Sequence, residues 1–215
     1  MPKERNYSVD TLKFICAVLV IFIHIRTPYY DYTLPFTRIA VPCFFMISGY
    51  FIFTEPESMQ RRLLKSMRRM LWIFLWSTAL YIPYFAASSG DWSIINWKTV
   101  RFFILLNWNP FGPHLWYISS YLYVLIVMLF VNRFRLWKLC FCLVPVLLLV
   151  NLVIGKYDVL IFNQNFDYRI ARNFFSTGIP YFALGCLVKK HWNTLCSIKP
   201  KLVIRGMYLI ILYSI

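Results

Sequence analysis

Residues 14–25 read FICAVLVIFIHI, an uncharged run that extends back to Val9 if Asp10 and Lys13 are tolerated in a helix. Such runs recur along the chain, at 39–53, 70–87, 115–131, 139–154 and 173–188. A membrane-spanning helix needs ~20 mostly apolar residues, or slightly fewer when flanking side chains reach the interface. The pattern predicts an all-α fold, a polytopic integral membrane helical bundle with six spanning helices.

Another apolar run begins near Leu202 and continues to Ile215, where the sequence stops without a cap or a basic residue. We therefore expect a truncated seventh spanning helix. No stretch has the composition of a second, soluble domain. The sequence predicts one membrane domain over residues 1–215, incomplete at its C-terminus.

The composition excludes a water-soluble globule. Hydrophobic residues make up 60% of the chain and charged residues 14%, with a mean hydropathy of +0.60. Typical soluble domains are roughly half apolar and about a quarter charged. The net charge of +15 would suggest a nucleic-acid partner in a soluble protein. Here the basic residues fall mostly between apolar runs, so we expect membrane lipid and no nucleic acid as a partner.

The distribution of Lys and Arg predicts the orientation. Segments on the same side as the N-terminus hold 15 of these residues, and segments on the other side hold 7. Basic residues concentrate on the cytoplasmic side of membrane proteins. We therefore expect a multi-pass protein of the cell membrane with a cytoplasmic N-terminus. The six cysteines have neither zinc-site nor C-x-x-C spacing, so no metal site is expected.

The first apolar run carries three ionisable residues, Asp10, Lys13 and His24. Ionisable groups inside a membrane are costly and mark functional sites. Lys13 and His24 are eleven residues apart, which places them on one helix face and roughly 16 Å apart. Asp10 lies one turn from Lys13, close enough to neutralise it. Two interpretations stay open: interfacial side chains of no chemical role, or a histidine that removes a proton from a hydroxyl near neutral pH.

Several motifs together resemble the membrane acyltransferase 3 family. They are a lysine, ten residues and a histidine (Lys13 to His24), FFMISGY at 44–50, HLWYI at 114–118, RNFF at 172–175 and GIPYFALG at 178–185. The resemblance covers essentially the whole chain and corresponds to the N-terminal two thirds of such proteins. It implies an O-acyltransferase that moves an acyl group, expected to be acetyl, from acyl-CoA to a hydroxyl. The acceptor would be a cell-surface carbohydrate, a lipid-linked glycan or a cell-wall polymer, and no metal is involved.

The resemblance also implies roles for individual residues. His24 would be the catalytic base, and Lys13, beside Asp10, would help to place the acyl donor. The family's Arg-x-x-Arg motif is matched by Lys65-x-x-Arg68 in the basic loop 54–69, so Lys65, Arg68 and Arg69 would bind acyl-CoA. Lysine in place of the first arginine keeps the charge but loses the planar, bidentate fork.

Candidate acceptor-binding residues follow from the same motifs: Ser48, His114, Trp116, Tyr117 and Arg172. Each has another interpretation. Ser48 and Gly49 are small residues that let two membrane helices approach. His114, Trp116 and Tyr117 lie where an interfacial aromatic belt is expected, and Arg172 could contact a neighbouring helix instead.

Two further functions stay open. Intramembrane lysine and histidine also suit a transporter-like or transport-coupled membrane domain, although no inverted repeat is visible. A truncated, inactive fragment is the third interpretation.

Overall fold

The computed structural model describes residues 7–25, 30–88, 90–164 and 166–197, and every regular element in these ranges is helical. The predicted all-α membrane bundle is thereby confirmed. The α-helices are α1 (Tyr7–His24), α2 (Tyr30–Thr37), α3 (Ala40–Ile52), α4 (Pro56–Ser88), α5 (Trp97–Leu106), α6 (Trp116–Arg133), α7 (Trp137–Lys156), α8 (Asp158–Phe162), α9 (Tyr168–Ala171), α10 (Ile179–Lys190) and α11 (Trp192–Cys196). Short 3₁₀ turns lie at Trp92–Ile94 and Pro113–Leu115, and a π-helical turn at Phe174–Gly178 leads into α10.

Five helices within the described ranges are long and apolar enough to cross a membrane: Tyr7–His24, Tyr32–Ile52, Pro56–Ser88, Trp116–Arg133 and Trp137–Gly155. The second of these joins α2 to α3 through a turn. The predicted sixth run is helical as well, since the π-helical turn and α10 follow one another without a break. The predicted seventh helix lies outside the described residues, so the total number of spans stays a prediction.

The prediction that the basic segment 54–69 is a loop was wrong for most of that segment. Residues from Pro56 onward belong to α4, a helix of 33 residues. At 1.5 Å per residue this helix is about 50 Å long, whereas the hydrocarbon core of a bilayer is about 30 Å thick. The reason is local, because residues 57–69 are mostly strong helix formers and contain neither Gly nor Pro. The basic residues therefore lie on a helical extension of a spanning segment.

The core of the bundle is formed where α10 packs along α3 and where α6 packs on α4. A β-carbon added at Gly49 would lie 2.0 Å from the carbonyl oxygen of Phe182, and one at Gly185 would lie 2.0 Å from that of Met46. Only glycine fits at such distances. The interpretation of Gly49 as a helix-packing residue is confirmed, and Phe45 and Phe182 are completely buried beside this contact.

The helices alternate in direction, so their ends form two groups. One end of the bundle, here called the histidine end, contains the end of α1 at His24 and the start of α6 at Trp116. The opposite end, here called the basic end, contains the end of α3 at Ile52 and the start of α4 at Pro56. Asn132, near the end of α6, donates a hydrogen bond to the Pro56 carbonyl at 2.9 Å. Candidate residues for chemistry lie at both ends.

Candidate functional site

The two histidines that the sequence singled out meet at the histidine end. His24 is the last residue of α1, and His114 lies in the 3₁₀ turn Pro113–Leu115 before α6. Their ring centroids are 4.5 Å apart and the rings are nearly perpendicular, at 81°. Both side chains are exposed, so an incoming molecule can reach them. The arrangement places two groups that can accept or donate a proton at one accessible point.

Lys13 and Asp10 lie toward the basic end of α1. The Lys13 ammonium is 3.4 Å from a carboxylate oxygen of Asp10, which confirms the expected neutralising contact. The same ammonium lies 5.1 Å from the ring centroid of Phe51, at the end of α3. Ten residues of continuous helix lie between Lys13 and His24, so the two groups do not meet.

The predicted donor-binding residues share one face of α4. Lys65, Arg68 and Arg69 line an open cavity of about 510 Å³ together with Leu64 and Trp72. All three basic side chains are exposed, and no acidic side chain lines this cavity. One turn nearer the start of α4, Arg62 donates a hydrogen bond to the Phe51 carbonyl at 2.8 Å. Phe51 therefore contacts Lys13 of α1 through its ring and Arg62 of α4 through its carbonyl.

A second cavity shares no lining residue with the first. It has a volume of about 190 Å³, is almost wholly apolar, and lies between α1, α3 and α10. Along α3 its lining runs from Cys43, near the histidine end, to Phe51 at the basic end. Eight residues of helix correspond to about 12 Å. On α1 the lining residues are Val9 and Leu12, so the cavity lies mainly in the half of the bundle nearer the basic end.

Three predicted acceptor-binding residues lie apart from the histidine pair or are used in packing. Ser48 is half-buried on α3, eight residues from Ala40 and hence nearer the basic end. Tyr117 packs between Phe45, at 5.1 Å between ring centroids, and Tyr121, at 6.2 Å. The Trp116 side chain is half-buried, and its carbonyl accepts a hydrogen bond from Asn107 at 3.1 Å. Their roles in acceptor binding stay predictions.

Asn107 was not singled out from the sequence, and it joins three segments at the histidine end. It is completely buried and has a left-handed backbone with φ of 53°. Its side-chain amide donates to the Trp116 carbonyl, and its side-chain oxygen accepts from the Phe174 N–H at 2.8 Å. Its own carbonyl accepts from the Ser119 hydroxyl at 2.7 Å. These bonds hold the start of α6, and with it the turn that carries His114, against the π-helical turn.

The remaining candidate, Arg172, follows the short helix α9. It is exposed, but its guanidinium is partly desolvated, and this desolvation together with the nearby charge of Arg38 lowers the pKa of Arg172. The Tyr30 hydroxyl, which also interacts with Arg172, donates to the Ile23 carbonyl at 3.4 Å, next to His24. Arg172 is therefore placed beside the histidine pair.

Sequence reasoning missed a second arginine in the same segment. The guanidinium carbon of Arg169 lies 4.3 Å from the Trp108 ring centroid and 5.5 Å from that of Phe102. The signal that could have found it is the group of polar residues that holds the segment, Asn151 within α7 and Asn173, Ser176 and Thr177 at the start of the sixth run. Polar residues inside apolar runs are costly and need partners.

Comparison with known proteins gives one family. The profile of a family described as "Acyltransferase domain", the acyltransferase 3 group, matches residues 6–215. No solved structure matches the chain.

The curated relatives are larger proteins that are named as racemases. A serine/alanine racemase of Enterococcus gallinarum is 28% identical over 128 residues, which cover 54% of this chain and 18% of that protein. An amino-acid racemase of Enterococcus faecalis is 34% identical over 92 residues, 39% of this chain and 13% of that protein. The chain spans less than a fifth of the length of the curated relatives it matches.

The buried amide of Asn107 yields a stability prediction. Asn107→Ala leaves the Phe174 N–H without this partner, at about 1–3 kcal/mol for a buried group left unsatisfied. It also removes one hydrogen bond to the Trp116 carbonyl, which still accepts from the Ser119 hydroxyl at 3.1 Å. We expect a clearly lower melting temperature in detergent by differential scanning fluorimetry. Asn163→Ala is the matched control, since Asn163 has nearly the same φ, 52°, but is exposed. Equal losses in the two variants would show that the backbone conformation matters and the buried hydrogen bonds do not.

Proposed function

This chain belongs to the acyltransferase 3 family, and we propose that it transfers an acyl group, specifically acetyl, from acyl-CoA to a carbohydrate hydroxyl. Family membership makes it a membrane acyltransferase. The proposal adds the donor, the acceptor and the residues that act. The acceptor is a cell-surface carbohydrate, a lipid-linked glycan or a cell-wall polymer, and residues 1–215 act as one membrane domain.

The observation that carries the proposal is the contact between His24 and His114. In the proposed reaction the acceptor hydroxyl attacks the thioester carbonyl, and the His24 imidazole takes the hydroxyl proton. A carbon–oxygen bond forms and the carbon–sulfur bond breaks. The proton on His24 then passes to the departing sulfur, which leaves as the free thiol of CoA. The edge of one histidine ring against the face of the other fixes how the His24 ring is turned, so His114 acts as its positioning residue.

The donor is bound from the opposite end. Lys65, Arg68 and Arg69 form a uniformly positive surface on α4, and CoA carries several phosphate charges, so charge-assisted hydrogen bonds favour its binding there. The thioester must then reach toward His24. The apolar cavity along α3 between Cys43 and Phe51 supports this step, because it can receive the acyl end of the donor. Lys13 lies at the Phe51 end of this cavity and helps to place the donor.

The role of His24 as a base predicts a large kinetic effect. His24→Gln should lower kcat by about 10²–10⁴-fold, because glutamine keeps a hydrogen-bonding group but cannot accept the proton. The measurement is transfer of radiolabelled acetyl from acetyl-CoA by the full-length protein, at matched abundance in the membrane. His191→Gln is the control, since His191 is an exposed histidine that follows α10. Near-normal transfer by the His24 variant would refute the role as a base.

The donor surface predicts a selective effect on one substrate. Arg68→Ala should raise the apparent KM for acetyl-CoA and leave the KM for the acceptor unchanged. The reason is that the substitution removes a positive charge that interacts with the phosphates of CoA and not with the acceptor. Arg61→Ala removes the same charge from an exposed position on α4 that does not line the cavity, and should change the donor KM much less. A raised acceptor KM with an unchanged donor KM would contradict this assignment of the α4 surface.

The mechanism also requires an orientation, with the basic end and the N-terminus in the cytoplasm of a cell-membrane protein. Glu57→Cys at the basic end and Ser93→Cys at the histidine end are both exposed positions. In a background without the native cysteines, a membrane-impermeant maleimide added to intact cells should label position 93 and not position 57. The reverse pattern would overturn the orientation and the cytoplasmic donor.

A second candidate function is a membrane domain that transports a small molecule. Lys13 and His24 in one spanning helix suit it, since ionisable residues inside a membrane also mark transport pathways. Segments similar to this one form a minor part of proteins named as amino-acid racemases, whose substrates supply a probe. Uptake of radiolabelled serine by cells that express the chain tests this candidate. Serine uptake that depends on Lys13 and His24, without any acetyl transfer, would replace the first proposal by the second.

A further inference from the structure

Two guanidinium groups surround one tyrosine ring at the histidine end. The guanidinium carbons of Arg169 and Arg172 lie 5.8 Å and 5.5 Å from the ring centroid of Tyr168. Arg38 adds a third positive charge close enough to affect Arg172. Among the described side chains, the one carboxylate paired with this group is that of Asp167, 3.7 Å from Arg169 Nε. The cluster therefore carries an excess of positive charge.

Two donors in this cluster make no hydrogen bond, although the Asp167 carboxylate lies 3.7 Å from one of them, Arg169 Nε. Arg169 Nε and Trp108 Nε1 are buried atoms without a hydrogen-bond partner in the described part of the chain. They belong to side chains that stack on one another at 4.3 Å. Buried polar groups are nearly always hydrogen-bonded, and unsatisfied ones in native proteins need an explanation. An anion that accepts from these donors, and from the forked guanidinium of Arg172, supplies one.

The segment that carries the arginines is held rigidly. The Asn173 side-chain amide donates to the carbonyls of Arg169, at 3.2 Å, and Ile170, at 2.7 Å. The next carbonyl, that of Ala171, accepts from the hydroxyls of Ser176 and Thr177, each at 2.7 Å, and from the Asn151 amide at 2.9 Å. Fixed donors lose little entropy when a ligand binds.

The cluster adjoins the histidine pair through two connections. Tyr30, which interacts with Arg172, is hydrogen-bonded to the carbonyl of the residue before His24. Trp108 follows Asn107, whose side chain holds the start of α6 beside His114. An anionic group bound by the two arginines would therefore lie on the same side of the bundle as the histidine pair.

We propose that Arg169 and Arg172, with Trp108 and Tyr168, bind a carboxylate or phosphate group of the acceptor, so that the enzyme acylates an anionic sugar in preference to a neutral one. This inference rests on the proposed function and names its substrate class. The arginines recognise the charge of the acceptor, and the histidine pair acts on its hydroxyl. Neither arginine takes part in the proton transfer.

The test separates binding from acyl transfer. Ligand-observed NMR of the purified full-length protein measures the dissociation constants of methyl glucuronide, glucose 1-phosphate and the neutral methyl glucoside. We expect the two anionic sugars to bind at least about 10-fold more tightly than the neutral one, given the strength of charge-assisted hydrogen bonds. The carboxylate and phosphate probes distinguish the two anionic groups, since the tighter binder identifies the one that the site prefers.

Three glutamine variants, with two lysine variants in reserve, test which residues bind the anionic group. Arg172→Gln and Arg169→Gln should abolish the preference for the anionic sugars and leave binding of methyl glucoside unchanged. Arg101→Gln removes one charge from an exposed position of α5 at the same end of the bundle, and should keep the preference. If a glutamine variant is not folded by size-exclusion chromatography, Arg169→Lys and Arg172→Lys replace it and should weaken the preference, since lysine keeps the charge but not the fork.

The outcomes are distinct from those for the proposed function. Equal binding of charged and neutral sugars by the wild-type protein overturns this inference, and so does a preference that survives both arginine substitutions. Either result leaves acetyl transfer to neutral sugars intact. If the wild-type protein transfers acetyl to no acceptor but still binds the anionic sugars more tightly than the neutral one, the enzyme reaction is refuted and the anion site is supported.

Discussion

The backbones of α3 and α10 touch at Gly49 and Gly185, and the positions of the other helices follow from this contact. Each glycine leaves room for a carbonyl oxygen of the opposite helix at a distance where no β-carbon fits. Lipid tails are as apolar as leucine, so the hydrophobic effect does little to join helices inside a bilayer, and close packing of small residues does more. With α3 fixed on α10, α1 and α7 pack against this pair, and the apolar cavity lies along its side.

The apolar runs and their spacing were enough to predict an all-α membrane bundle, because a bilayer admits only elements that satisfy their own backbone groups. They could not predict where α4 begins. A basic, polar segment is equally consistent with a loop and with a helix that continues into the aqueous phase, and in this chain helix propensity decides. The contact of Asp10 with Lys13 was predictable, since it depends on helix geometry alone.

The site was predictable only where a motif marked it. His24 and His114 are ninety residues apart in sequence, and their spacing says nothing about contact. Arg169 and Trp108 belong to no motif, and their stacking depends on how Asn107 and Asn173 fold two irregular segments together. Residues whose position is set by buried side-chain hydrogen bonds have no periodic signal, whereas residues on one face of a helix do.

The π-helical turn Phe174–Gly178 has a consequence for the evolution of chain length. The Asn173 carbonyl accepts from the Gly178 N–H, five residues on, at 3.1 Å, so this turn holds one residue more than an α-helical turn. Loss of one residue there would restore α-helical hydrogen bonding and rotate everything before it by about 100° relative to α10. Single-residue insertions and deletions should therefore be rare between Arg172 and Gly185 and common in the exposed connection around Asn163.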